Sequence, residues 1–564
     1  MYRQLATASM AVLVLFAPID LAWEPLQDPA ESGAGWSCIK LDLDITVRPE
    51  ASKIEVAGRA VLRLEAESSF GPAFGINGDS RNMTILSLAS DPQASGTTLN
   101  ESILDESPNT LVSRLQFDKP FRKGYELAVT FAYESVEQGS QFKVNSTMAF
   151  ASWTEAWHPV ALFDFDSVAL SRGMATTGTT VFHLPPGWSA AAEGVLVSRE
   201  ESDTGVTETW RLDTPLARSF AAGPFAKATH AAEGREVNVF ILSPDLAERA
   251  TDQARILTKA LVAMEARFGP YPYPSYSIIE IPESMGVTWY AASQQGLIFA
   301  RSTGFRYEGG NLPLFAHEMA HGWWGNLVGT DGPGSILCSE SLAQYGAVIA
   351  IETLEGVDAR NEFLRYSRTG YSGLQCANGY FYMWREGHDK PMRDLESGGW
   401  DHNLSDAKGH WVYHMLRHRV GDEVFFATLR GMIEDFAGLP MTLDDMRAAF
   451  IAAAPDQSLE AFFTQWLDRA GAPVLDFDWW AIENGKGVRI DIAQTQPGEP
   501  FHLDLDVEIE FLDGDPRTEV IELREMTQTF RIETDKRPVA IRLDPRYRQL
   551  IWRPEYGPRP MAAP

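Results

Sequence analysis

His317-Glu318-Met319-Ala320-His321 fits the pattern H-E-x-x-H. On a helix, residues four apart lie one turn apart on one face, so His317 and His321 can offer imidazole nitrogens to a single ion. Glu318 sits about 100° around the same helix. It reaches a water beside the ion without being a ligand, which is where metal-assisted hydrolysis needs a general base. Nineteen residues after His321, Glu340 stands in Ser339-Glu340-Ser341-Leu342-Ala343-Gln344-Tyr345. Two imidazoles and one carboxylate leave a fourth tetrahedral position open, as catalytic rather than structural zinc requires. The expectation is one Zn2+ held by His317, His321 and Glu340, with Glu318 as the catalytic base.

A chance match on an ordinary core helix is the bland alternative. With 11 His and 77 Asp plus Glu in 564 residues, a random chain would show the pattern about 0.03 times. The flanks argue further against chance. Asn311 to Ala316 leads in as an apolar run, and Trp323-Trp324 is read as continuing the helix. Gly329, Gly332, Pro333 and Gly334 then break the chain before a helix-prone run from Leu342 to Leu354. Glu340 is expected at the start of that second helix, where the chain can return it to the first.

The run HEMAHGWWGNLV followed by Glu340 resembles the zinc helix and third ligand of the membrane alanyl aminopeptidase-like gluzincin family of zinc metallopeptidases. Upstream, Phe268-Gly269-Pro270-Tyr271-Pro272-Tyr273 is similar to the family's entrance to its catalytic domain. Downstream, Lys408-Gly409 and the helical segment His410 to Val420 are similar to its K-G segment. The resemblance covers nearly the whole chain, most strongly 236–470. It implies a multidomain α+β fold in which a thermolysin-like, mostly α catalytic domain lies between two β-rich domains.

Two positions depart from that family. Where its G-x-M-E-N motif places the Glu that holds a substrate's amino group, the register set by Gly296-Leu297-Ile298 places Ser293. A hydroxyl cannot make the charge-assisted contact a carboxylate gives an ammonium group. Where Y-x-K-G places the Tyr that supports the oxyanion, this chain has Asp406-Ala407-Lys408-Gly409. An ionised carboxylate would repel an oxyanion, and losing one such donor lowers turnover on the order of 10²–10³-fold. Tyr371, Tyr380, Tyr382 or Tyr413 supplying the donor from elsewhere, and a protonated Asp406, are open alternatives.

Around this centre, hydrophobic content of 45% and charged content of 22% are those of an ordinary globular protein. A net charge of −29 disfavours nucleic acid as a partner, since phosphate binding needs basic patches. Leu5 to Ala17 is apolar but too short to span a bilayer, so residues 1–22 read as a signal peptide and the protein as exported, periplasmic or extracellular. The alternative is an uncleaved N-terminal anchor, and no later segment reads as a transmembrane span. Cys38, Cys338 and Cys376 allow at most one bridge. Alternation at Ile39 to Arg48 and Ile54 to Glu65 makes 23–235 an all-β saddle or sandwich. Ser243-Pro244 reads as an N-cap and first-turn proline, and apolar residues from Leu246 to Phe268 then recur at steps of three and four. Helical patterns last to about Ala470, giving a zinc peptidase domain over 236–471. Alternation from Phe501 to Phe511 makes 472–564 a small C-terminal β-sandwich. His402, His410, His414 and His418 cluster in sequence, but without a carboxylate at fixed spacing they are not read as a second metal site.

The chain is therefore expected to be an exported, aminopeptidase-like zinc metallopeptidase acting on peptide or protein substrates. An alternative of another class is a catalytically weak zinc-binding homologue that serves as a peptide- or protein-binding module, supported by the paired change at Ser293 and Asp406. A third reading, hydrolysis of a non-peptide amide, uses the same site.

Overall fold

The alternation at 39–48 becomes the strand Trp36–Arg48, which pairs antiparallel with Lys53–Leu64 and parallel with Thr176–Leu184. Leu41, Leu43, Ile45 and Val47 face inward and are buried, while the intervening residues point outward. The computed structural model describes residues 35–560 except 78–82, 103–109, 137–141, 156, 162–174, 308–310, 367–372 and 483–484. The expected leader, 1–22, lies outside the described residues, as does Tyr371.

Two compact units make up the chain, one running through Val262 and including Tyr271–Asn311, the other comprising Ala263–Pro270 and Leu312–Pro564. The first unit is β-rich. Its seven-stranded sheet is built on the strand just described, and two four-stranded sheets accompany it. A five-stranded sheet follows, in which Arg235–Ile241, Tyr276–Ile281 and Leu297–Arg301 run parallel and Ala291–Ser293 closes one edge. Every residue of Tyr276–Ile281 is buried, the mark of a parallel strand covered on both faces.

One local expectation fails in this unit. The helix expected from Pro244 to Phe268 is a single turn, Pro244–Ala247, followed by α1 (Ala250–Phe268). Ser243 makes no side-chain cap; its hydroxyl instead donates to the buried Glu280 carboxylate, which also accepts the backbone N–H of Leu242 and Ser243. A carboxylate taken out of water needs those donors more than the helix end does.

The second unit is helical and then β. Its helices are α2 (Leu312–Ala320), α3 (Glu340–Glu355), α4 (Val357–Arg365), α5 (Ala377–Arg385), α6 (Gly399–Leu404), α7 (His410–Val420), α8 (Asp422–Phe436), α9 (Leu443–Ala453) and α10 (Leu459–Trp466). Between α6 and α7 the chain stays helical but winds as a π-helix over Ser405–Gly409. Two three-stranded sheets end the chain, burying Val488, Ile490 and Ile492 from one and Leu503, Leu505, Val507 and Ile509 from the other. The architecture is thus multidomain α+β, β-rich first and helical next. No helix among the described residues is long and apolar enough to cross a membrane. Cys38, Cys338 and Cys376 are free thiols, and Cys338 is fully buried.

A second difference concerns α2, which stops at Ala320 instead of continuing through Trp323-Trp324. Gly325, at φ +103°, reverses the chain, and a bridge between Trp324 and Val328 closes the reversal. The two indoles then turn inward, and Trp323 packs edge-on against Phe268.

Candidate metal centre

α2 is buried at Leu312, Leu314, Phe315, Ala316, Met319 and Ala320 as well as at His317 and Glu318, so its polar residues must be satisfied internally. α3 packs against it. Gly346 makes the approach possible, because a Cβ there would stand 2.4 Å from the Cβ of Ala320. A glycine in mid-helix costs roughly 0.5–1 kcal/mol relative to alanine, so it is kept for the space it leaves.

That approach brings three donor atoms together. His317 Nε2 and His321 Nε2 are 3.1 Å apart, and Glu340 Oε2 lies 3.5 Å from the first and 3.4 Å from the second. With metal–ligand bonds of about 2.0–2.1 Å, the edge of a regular tetrahedron is about 3.3 Å. The triangle therefore fits a zinc ion. The outer ring nitrogens support it: His317 Nδ1 is 2.9 Å from Gln344 Oε1, and His321 Nδ1 is 2.9 Å from the carbonyl oxygen of Trp324. A proton donated at Nδ1 to each oxygen leaves the Nε2 lone pairs facing the centre. The chain reversal after α2 thus supplies a ligand-orienting carbonyl.

The electrostatics favour a cation. Burial resists charge on His317, but Glu340 and the other carboxylates outweigh it and push its pKa up to about 9. His321 is likewise raised against the effect of burial, while burial raises Glu318. Glu340 is held well below the usual carboxylate range, its burial outweighed by His321 and His402. Three carboxylates, Glu318, Glu340 and Asp406, share this interior with the histidines, and protons or a metal ion must balance them.

Asp406 lies in the π-helical segment and is fully buried. Its Oδ2 accepts a hydrogen bond from Gln375 Nε2 and lies 3.4 Å from His402 Nε2; Oδ1 has no hydrogen-bond partner. Burial pushes the Asp406 carboxyl up, opposed by His402 and His317. His402 in turn places Nδ1 3.8 Å from Glu340 Oε2. Among the described residues, only His317–His321–Glu340 and Glu340–His402–Asp406 have metal-ligand spacing. His410, His414 and His418 form no such group: burial holds His410 and His418 down at about 4 and pushes His414 well below the ordinary value.

Sequence spacing reaches the triangle and Glu318 but not its supports. Gln344 stands four residues after Glu340, one turn along the same face, a spacing that could have singled it out. Gln375 and the Trp324 carbonyl carry no such signal. Ser293 lies in the edge strand Ala291–Ser293 of the first unit, opposite Ile298.

Residues 253–466 match the peptidase family M1 domain. Aminopeptidase M1-A of Oryza sativa subsp. japonica is 25% identical over 252 residues, 43% of this chain and 27% of that protein. Aminopeptidase N of Lactococcus lactis subsp. lactis is 28% identical over 173 residues, 29% of this chain and 19% of that protein. The chain thus matches well under half the length of these curated relatives. The crystal structure of Legionella pneumophila aminopeptidase A in complex with aspartic acid superposes with a TM-score of 0.61 at 15% identity, covering 92% of this chain and 59% of that one. This last likeness concerns the fold alone. Residues 253–466 thus match the peptidase family M1 domain, and with the HEMAH helix and the later Glu340 the chain is similar to aminopeptidase-like gluzincins.

Proposed function

We propose that this protein hydrolyses peptide bonds using one zinc ion held by His317, His321 and Glu340. The observation that carries the reading is the donor triangle, with edges of 3.1, 3.4 and 3.5 Å, beside the buried Glu318. Zinc in such a site supplies Lewis-acid polarisation of a carbonyl and brings the pKa of water down to about 7. The chain supplies the rest. Glu318, its carboxyl raised by burial, takes a proton from the attacking water and passes it to the leaving amine nitrogen. Gln344 and the Trp324 carbonyl hold the two imidazoles in one tautomer and orientation. The apolar lining of α2 excludes bulk water and strengthens these interactions.

Ser293 in place of a carboxylate argues against strict selection of a free amino end, so cleavage is not confined to the first residue of a substrate. The apolar run from Leu5 to Ala17 supports export. A weakly catalytic zinc-binding module is the second reading, favoured by Asp406 at the oxyanion position. Digesting a mixed peptide library with zinc-loaded protein, beside Glu318→Gln, separates the two by mass spectrometry. Cleavage by the wild type alone sustains the peptidase reading and shows which end is cut. Zinc-loaded wild type that cuts nothing overturns it.

A further inference from the structure

We propose that His402 is a further catalytic residue of this site, donating a hydrogen bond to the oxygen that gains charge as the scissile carbonyl becomes tetrahedral, and that Asp406 is its positioning residue. The inference rests on the peptidase reading above. It turns the departure at 406 from a lost donor into a relocated one.

Three observations lead there. The His402 ring lies between two carboxylates through opposite nitrogens, Nδ1 at 3.8 Å from Glu340 Oε2 and Nε2 at 3.4 Å from Asp406 Oδ2. Glu340 Oε2 is already a corner of the first donor triangle, so this geometry suits a braced imidazole better than a second metal site. A distance of 3.8 Å is also too long for a hydrogen bond, which leaves Nδ1 beside the donor triangle and uncommitted to Glu340. The second observation is the state of Asp406, a fully buried carboxyl whose Oδ2 is engaged by Gln375 and faces His402. Burying a carboxylate costs too much for a group with no task, and orienting an imidazole is such a task. The third concerns the nearby phenols. Tyr413 donates to the carbonyl oxygen of Leu337 at 3.1 Å and Tyr380 to Asp389 at 3.1 Å, both buried, and Tyr382 is exposed.

In the step itself, the water oxygen bonds to the carbonyl carbon as the carbonyl π pair moves onto oxygen. His402 donates a hydrogen bond to that oxygen and transfers no proton. As the pair returns, the C–N bond breaks and the amine leaves with the proton carried by Glu318. A proton shared between Asp406 and Nε2 keeps the Nδ1 proton free for donation.

The test uses zinc-loaded full-length protein and two probes, a phosphinic pseudo-tripeptide and a mercaptoacyl dipeptide. The phosphinate carries an oxygen where the charge develops; the thiol ligates through sulfur and offers none. His402→Ala should weaken phosphinate binding on the order of 10²–10³-fold and leave thiol affinity and zinc content unchanged. Asp406→Asn should weaken the phosphinate less and lower kcat with KM unchanged on a peptide from the library digest. Should the alanine variant fail to fold, His402→Asn replaces it. Equal losses on both probes, or none on the phosphinate, overturn the proposal. Wild type that holds zinc and binds neither probe overturns the peptidase reading as well, which sets that failure apart.

Discussion

Gly346→Ala offers a test of the metal centre that touches no ligand. The new Cβ would meet the Cβ of Ala320 at 2.4 Å and Phe268 Cε2 at 3.6 Å. Carbon atoms at ease stand about 3.5–4.0 Å apart, so α3 must retreat from α2 by roughly 1.3 Å. Such a retreat stretches the 3.4 and 3.5 Å edges that Glu340 makes with the histidines toward about 4.7–4.8 Å, against a tolerance of about 0.2 Å in metal–ligand distance. Overpacking costs about 1–3 kcal/mol, and replacing a mid-helix glycine by alanine returns up to about 1 kcal/mol. The apo protein should therefore lose about 0–3 kcal/mol of stability. Zinc affinity should fall at least 100-fold, more than the roughly 10–100-fold that an outer-shell loss costs. Competition with a chelating indicator measures the affinity, and thermal unfolding of the apo form measures the fold. Ala320→Gly combined with Gly346→Ala should recover much of the binding, because it removes the 2.4 Å clash and leaves the Cβ at 346 in ordinary contact with Phe268 Cε2 at 3.6 Å and the Cα of residue 320 at 3.8 Å. Wild-type affinity in the single variant, or no recovery in the pair, would refute the close-approach argument.

Gln344→Leu removes the acceptor 2.9 Å from His317 Nδ1 and should weaken zinc binding about 10–100-fold with the fold intact; an unchanged chelator titration would count against that role. Glu193, buried in the first unit with Ser219 N–H at 2.8 Å, is pushed by burial up to about 8. The folded state then keeps a proton that the unfolded chain releases near pH 4.5, so stability should fall as pH rises from there to about 8, at up to about 1.4 kcal/mol per pH unit. Urea midpoints across that range should be flatter for Glu193→Gln, and parallel curves would remove the assignment. Arg417 is bound to Glu352 at 2.7 Å and Asp422 at 2.8 Å and is nearly buried. Arg417→Met leaves Glu352 paired with Arg360 at 3.2 Å and should cost about 1 kcal/mol, read as a fall in Tm; a loss of about 3 kcal/mol or more would mean that Arg360 does not compensate.

What could be read from the chain alone was what local spacing encodes. His317 and His321 are one helical turn apart in any structure that makes 312–320 a helix, and Glu318 follows from them. Glu340 needed only a turn-rich gap and a second helix. Alternation in Trp36–Arg48 and Leu503–Phe511 is likewise a local signal, because one sheet face is dry. The misses are places where a non-local partner outbids the local rule. Ser243 has the chemistry of a cap, but Glu280, thirty-seven residues on, claims its hydroxyl. Trp323 and Trp324 are apolar enough to prolong α2, yet Gly325 turns the chain away and the resulting carbonyl serves His321. Nothing in Gly346 announces that Ala320 lies against it. His402 and Asp406 stand four apart on paper, but that they meet beside Glu340 follows only from the packing of α3 on the segment 405–409.

The π-helical winding of Ser405–Gly409 makes the number of residues there matter as much as their identity. A π turn holds one more residue than an α turn, and it persists because its loosened backbone is satisfied from outside: Ser341 donates to the carbonyl oxygen of Ser405 at 2.7 Å, and Gly409 leaves room for that hydroxyl. Were the same five residues of Ser405–Gly409 rewound as an α-helix, everything before them would turn by roughly 90–100° relative to α7, and His402 would swing off Glu340 while every side chain of the site survived in the sequence. Losing one residue together with the π turn would instead leave the two flanking helices in nearly the same orientation. Among related chains, a one-residue gap within 405–409 therefore marks loss of the π turn, and an alignment that closes that gap elsewhere would pair the wrong residues with Asp406.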